Sequence, residues 1–156
     1  MSKVIITNKE DLNPIHKCEN NKYEYLKYIP KNEEINNQCS VLFYDIPPQK
    51  SNYPYHYHGA NIEVFYITSG HGELRTEDGI RTINPGDMII CPPGKGSEHK
   101  LTNTSDSEVL SYIEFDTVNH PEVIKYPDSN KVGIIDMNNE NTFFKEEYKA
   151  KYYDGE

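Results

Sequence analysis

The sequence predicts an all-β domain closed as a barrel or sandwich. Short apolar runs rich in Val, Ile, Tyr and Phe follow one another between Val41 and Phe115, each bounded by Gly, Pro, Asp or Asn. Turn signals such as Asp78-Gly79 separate them, and no stretch repeats its apolar residues at helical spacing. The chain has 156 residues, the size of one ordinary domain, and no linker marks off a second.

Residues 1–40 are polar and heavy in Asn, Lys and Glu, with an apolar burst at Val4 to Ile6 and a cluster at Tyr23, Tyr25, Leu26 and Tyr28. They are expected to form an arm lying on the barrel, with one short strand. Residues 41–117 are expected to be the barrel itself. Its first strand, 41–46, is closed by Pro47 and Pro48, which have no N–H to offer a ladder. Further strands are expected over 62–68, 72–75, 80–83, 88–91, 99–102 and 109–115. Residues 118–156 complete the same domain with a hairpin or edge strand over 122–135, centred on Tyr126-Pro127-Asp128-Ser129-Asn130-Lys131. A short amphipathic helix or packing tail carrying Phe143, Phe144, Tyr148, Tyr152 and Tyr153 ends the chain.

Charge narrows the function. A net charge of -9 argues against the broad basic surface that nucleic acid or an anionic membrane requires, which leaves a small molecule as the expected partner. The first thirty residues lack a basic start followed by an apolar run, and no segment approaches the ~20 apolar residues that span a bilayer. A soluble cytoplasmic protein is expected. Cys18, Cys39 and Cys91 are odd in number and widely spaced, so free thiols are expected in place of a disulfide framework or thiolate zinc site.

The chemistry concentrates between Tyr53 and Gly70, which reads Tyr-Pro-Tyr-His-Tyr-His-Gly-Ala-Asn-Ile-Glu-Val-Phe-Tyr-Ile-Thr-Ser-Gly. His56 and His58 share a face if the segment is extended, because side chains alternate along a strand. Glu63 would face the other way on an unbroken strand. Gly59, Ala60 and Asn61 let the chain turn, however, and the register can reset so that Glu63 rejoins the histidines. Downstream, His99 follows a Gly-rich turn at the start of a strand and offers a fourth ligand. Imidazoles with one carboxylate suit first-row divalent ions.

These segments resemble the two motifs of the cupin superfamily. His56, His58, Glu63 and Gly70 stand at the spacings of the first motif, and Gly86, Pro92, Gly94, His99 and Asn103 at those of the second. Two positions depart: Lys50 replaces a usual glycine, and four residues separate Gly94 from His99 where two are usual. The resemblance covers about Val41 to Asp116. It implies a double-stranded β-helix, or jelly roll, with a divalent metal (Mn, Fe, Ni or Zn) held by His56, His58, Glu63 and His99. It also implies pairing into a homodimer.

A dication bound by neutral imidazoles and one ionised Glu63 favours an anionic or oxygen-rich small molecule. The resemblance implies dioxygenase, decarboxylase or isomerase chemistry on such a molecule. The alternative is a barrel that binds or senses a sugar or organic acid without turnover. A general base cannot be chosen before the fold is known. Phe65 and Ile67 share the face of Glu63 and are expected on the pocket wall. Tyr55 and Tyr57, facing away from the histidines, are assigned to packing. Asn103 is assigned to anchoring backbone, and Glu98 to a position beside the site. His16, His71, His120 and Cys91 are given no role.

Overall fold

A computed structural model describes residues 4–31, 35, 37–136 and 140–156. Parts of the expected arm and tail, residues 1–3, 32–34, 36 and 137–139, therefore lie outside the described residues. Among the described residues thirteen strands run β1 (Ile15–Glu19), β2 (Tyr23–Tyr28), β3 (Cys39–Ile46), β4 (Tyr57–His58), β5 (Glu63–Ser69), β6 (Gly72–Thr76), β7 (Gly79–Ile83), β8 (Met88–Cys91), β9 (Lys100–Thr102), β10 (Leu110–Thr117), β11 (Glu122–Tyr126), β12 (Lys131–Ile135) and β13 (Thr142–Lys145). One six-stranded sheet has the order β1-β2-β3-β10-β5-β8. Two smaller sheets, β7-β6-β9 and β13-β12-β11-β4, meet at an antiparallel bridge between His56 and His99. The fold is a jelly roll.

Alternation decides what each strand buries. On β3 the inward residues are Leu42, Tyr44 and Ile46; on β5 they are Glu63, Phe65 and Ile67; on β10 they are Leu110, Tyr112 and Glu114. The apolar members of these rows pack with Cys91 of β8 and with Leu74, Ile83 and Leu101 from the three-stranded sheet into one core. At the other end, where the six-stranded sheet faces β11 and β12, the inward side chains turn polar. A cavity of about 380 Å³ opens there.

Both ends of the chain are more ordered than their composition suggests. The arm forms two strands, β1 and β2, and β2 pairs with β3 through Leu26↔Asp45, Lys27↔Tyr44 and Tyr28↔Phe43. The single short strand expected there is corrected to a hairpin that extends the main sheet. The aromatic cluster supplies the reason, since Tyr25 packs its ring 4.9 Å from Tyr53 and 5.6 Å from Tyr44. At the other end β13 pairs with β12, so the tail is a strand followed by a single 3-10 turn at Glu146–Tyr148. Phe143 and Phe144 alternate faces there as strand residues do.

Candidate metal centre

Three elements bring four side chains together, and three of these, His56, His58 and Glu63, line one end of the cavity. β4 and the residues just before it carry His56 and His58, β5 starts at Glu63, and β9 is preceded by His99. His56 and His99 exchange both backbone hydrogen bonds, 3.1 Å from His56 N to His99 O and 2.9 Å from His99 N to His56 O. Their rings stand 4.6 Å apart as a result.

The reset between His58 and Glu63 has a specific cause. Glu122, the first residue of β11, accepts hydrogen bonds from the amides of Gly59 at 2.7 Å, Ala60 at 3.1 Å and Asn61 at 3.0 Å. One carboxylate thus satisfies three successive backbone donors and fixes the turn. Gly59 is required where it is, because a Cβ there would come within 2.8 Å of Val123 O. After the turn Glu63 points inward with the histidines.

The four groups converge on one atom. Glu63 Oε2 lies 2.7 Å from His99 Nε2, 3.5 Å from His58 Nε2 and 3.9 Å from His56 Nε2. His56, His58 and Glu63 offer ligand atoms that all lie within 4.8 Å of one another, and His99 meets the group through Glu63. His56 and His99 each have Nδ1 on a backbone carbonyl, Pro54 O at 2.8 Å and Ser97 O at 2.9 Å, so those nitrogens donate and Nε2 is left free to accept. His58 Nε2, His99 Nε2 and Glu63 Oε2 are buried, and their geometry gives them no hydrogen-bond partner among the described residues. Native interiors rarely leave such atoms orphaned. A divalent ion between them would satisfy the set, and the residues present suit that group.

Electrostatics agree. Burial pushes the His56 imidazole down to about 4, against the pull of Glu63, and so keeps it neutral and ready to coordinate. Burial also opposes charge on His99, but its contacts with Cys91 and Glu63 outweigh that and raise it well above the ordinary imidazole value. Burial likewise opposes the charge on Glu63, and the rings of His58 and His99 beside it win, holding it far below the usual carboxylate range.

The two departures from the motifs are absorbed locally. The long interval between Gly94 and His99 is taken up by a turn in which Gly94 and Gly96 both have φ of 99°. Ser97 Oγ donates to Gly94 O at 2.6 Å, and Glu98 accepts from Gly96 N at 2.9 Å. Glu98 therefore serves the loop. Lys50 follows Gln49, the residue that takes the left-handed conformation, and its ammonium donates to Asn21 O at 2.8 Å.

Residues outside the ligand set fall as follows. Asn103 is fully buried, donating to Ile46 O and Glu108 O and accepting from Ser105 N. Tyr55 is buried beneath the Arg75 guanidinium at 3.9 Å. Phe65 and Ile67 share the inward face of Glu63 as expected, but they lie in the core, with Phe65 5.6 Å from the His99 ring. The cavity wall is instead made by Leu42, Tyr44, Tyr53, Ile124 and Tyr126, with Lys27 and His120 among its polar neighbours.

Sequence reasoning missed two residues on that wall, Glu114 and Asp116. Burial and the nearby charge of Glu63 raise both, Glu114 well above the carboxylate range and Asp116 to about 7. A signal was present: Glu114 and Asp116 continue the two-residue alternation begun by Leu110 and Tyr112, so all four face inward.

Residues 42–115 match the family model described as Cupin domain. The matched residues, just under half of the chain, form a cupin domain. Solved structures share the fold, two of them over nearly the whole chain. A protein from Acidithiobacillus ferrooxidans provisionally named a sugar phosphate isomerase aligns with a TM-score of 0.81 at 21% identity, covering 94% of this chain and 95% of its own. A cupin-superfamily sugar phosphate isomerase from Silicibacter pomeroyi aligns at 0.81 and 17% identity, covering 96% and 98%. A predicted oxalate decarboxylase from Thermotoga maritima aligns at 0.63 and 19% identity, covering 74% and 100%. A comparison with curated proteins finds no match. No helix among the described residues is long and apolar enough to cross a membrane.

Proposed function

We propose that this cupin binds a divalent transition metal (Mn, Fe, Ni or Zn) through His56, His58, Glu63 and His99 and uses it to bind and transform a small oxygen-rich molecule. The observation that carries the reading is the convergence of three imidazole Nε2 atoms on Glu63 Oε2, at 2.7, 3.5 and 3.9 Å, at the end of a cavity. When bound, such an ion supplies Lewis acidity, polarising a carbonyl or hydroxyl oxygen. The protein supplies the rest. A volume of about 380 Å³ suits a small metabolite and is within the usual range of ligand pockets.

Leu42 and Ile124 give apolar walls, while the phenols of Tyr53 and Tyr126 offer hydrogen-bonding groups for a hydroxylated ligand. The Tyr126 ring is stacked on that of His56, 6.0 Å away and inclined by 25°, so it borders the metal end. Lys27 adds a cation to the lining, which suits a ligand with an anionic group. Two full-length structural matches carry the name sugar phosphate isomerase, so sugar phosphates are the first compounds to test. Pairing of two chains belongs to the same reading. Exposed Tyr66, Met88, Ile90 and Phe115 on the outer face of the six-stranded sheet support it, and the mass in solution measures it.

Elemental analysis of wild-type and His58→Ala protein tests the centre. The wild type is expected to carry a transition metal that the variant loses, with the fold retained by circular dichroism. Unchanged metal content in the variant would refute it. Turnover of sugar phosphates, small carboxylates or diketones by the loaded protein separates an enzyme from a carrier, in which binding saturates without product.

A further inference from the structure

Beside the histidine cluster the cavity contains a second group of ligand-type side chains. Glu63, Glu114 and Asp116 each offer a carboxyl oxygen, and those oxygens lie within 4.8 Å of one another. Register produces the group: Glu63 pairs with Asp116 across β5 and β10, and Glu114 stands two residues earlier on the same inward face. Glu114 is only 3% exposed. Its Oε2 and Asp116 Oδ1 are buried with no hydrogen-bond partner among the described residues. Both residues line the cavity that Glu63 lines.

Three carboxylates held this close away from bulk water repel one another unless something positive joins them. Oxygens on one divalent ion, at bond lengths of about 2.1–2.6 Å, stand at most about 5 Å apart, so the observed spacing accommodates one. We propose that Glu63, Glu114 and Asp116 form a second divalent-cation site, of the all-oxygen type suited to Mn²⁺, Mg²⁺ or Ca²⁺, sharing Glu63 with the histidine centre. The proposal rests on the reading of that centre only through the shared carboxylate. It deepens the substrate class as well. Two dications leave a single positive charge and two adjacent metals for one anionic oxygen group to span.

The test is a titration of metal-stripped protein with Mn²⁺, followed by calorimetry, elemental analysis after desalting, and electron paramagnetic resonance. Wild type is expected to bind two Mn²⁺ per chain with a spin-coupled spectrum. Glu114→Gln and Asp116→Asn preserve shape while removing charge, and each is expected to weaken one of the two sites at least tenfold and abolish the coupling. Thermal melts of both variants establish that they are folded, and either one suffices. One Mn²⁺ per chain in wild type, lost in His58→Ala, overturns the second site and leaves the histidine centre standing. Two Mn²⁺ retained with unchanged affinity in both acid variants also overturns it, placing the extra ion elsewhere. No bound Mn²⁺ overturns both.

Discussion

Glu122 holds the turn that brings Glu63 back to the histidines, yet its own carboxylate stays 3.9 Å from His58 Nδ1, too far for a hydrogen bond. Its influence on the site therefore runs through the amides of residues 59–61. Glu122→Gln keeps one acceptor oxygen and places an NH₂ against amide donors. The expected result is a loss of roughly 1.5–3 kcal/mol of stability, as for hydrogen bonds to a charged group, read from denaturant unfolding. Metal affinity is expected to fall about 10–100-fold, as it does when a group supporting a ligand is removed. Unaltered metal affinity in a destabilised variant would show that His58 and Glu63 are aligned by other means. Nothing in the sequence marked Glu122, because a lone Glu at the start of a strand looks like any solvated charge.

At the scale of elements, the strands of the barrel were legible because their two-residue alternation is strong and Gly, Pro and Asp punctuate it. The expected strands at 41–46, 62–68, 72–75, 80–83, 88–91 and 109–115 reappear as β3, β5, β6, β7, β8 and β10 within two residues at each end. His99 itself sits just outside β9, in the bridge to His56. The four ligand-type residues were legible for a different reason, since their spacing follows two motifs whose geometry the strands impose. What could not be seen lies where neighbours far apart in sequence decide the outcome. The β1–β2 hairpin depends on Tyr25 meeting Tyr44 and Tyr53, and β13 depends on the free edge of β12. The inward acids of β10 look ordinary until β5 places Glu63 opposite Asp116.

The whole molecule carries an alkaline weakness. Tyr44 and Tyr112 are buried and Tyr53 is half-buried against them, with Tyr44 and Tyr53 hydroxyls 3.0 Å apart and the Tyr44 and Tyr112 rings stacked at 5.0 Å. Burial, and then the charge of Glu114, raises all three well above the ordinary phenol value. Burial and Glu63 push Tyr126 up to about 12. A raised phenol pKa means that folding favours the neutral form. The resulting stability is complete below the unfolded value near 10 and is lost as pH rises through the folded values. The protein is expected to unfold cooperatively above about pH 10, with the rise of tyrosinate absorbance coinciding with the loss of the circular dichroism signal. Phenols that titrate near 10 in protein that stays folded would contradict the burial.

The bridge between His56 and His99 is the seam where the two smaller sheets are stitched together. An ion that grips both imidazoles therefore acts as a clasp on the roll itself, and closing it should stiffen the backbone where the two sheets join. Loading with metal is expected to slow deuterium uptake at the His56 and His99 amides and to raise the melting temperature with metal concentration. Identical exchange at those two amides in loaded and stripped protein would mean that the clasp lies elsewhere.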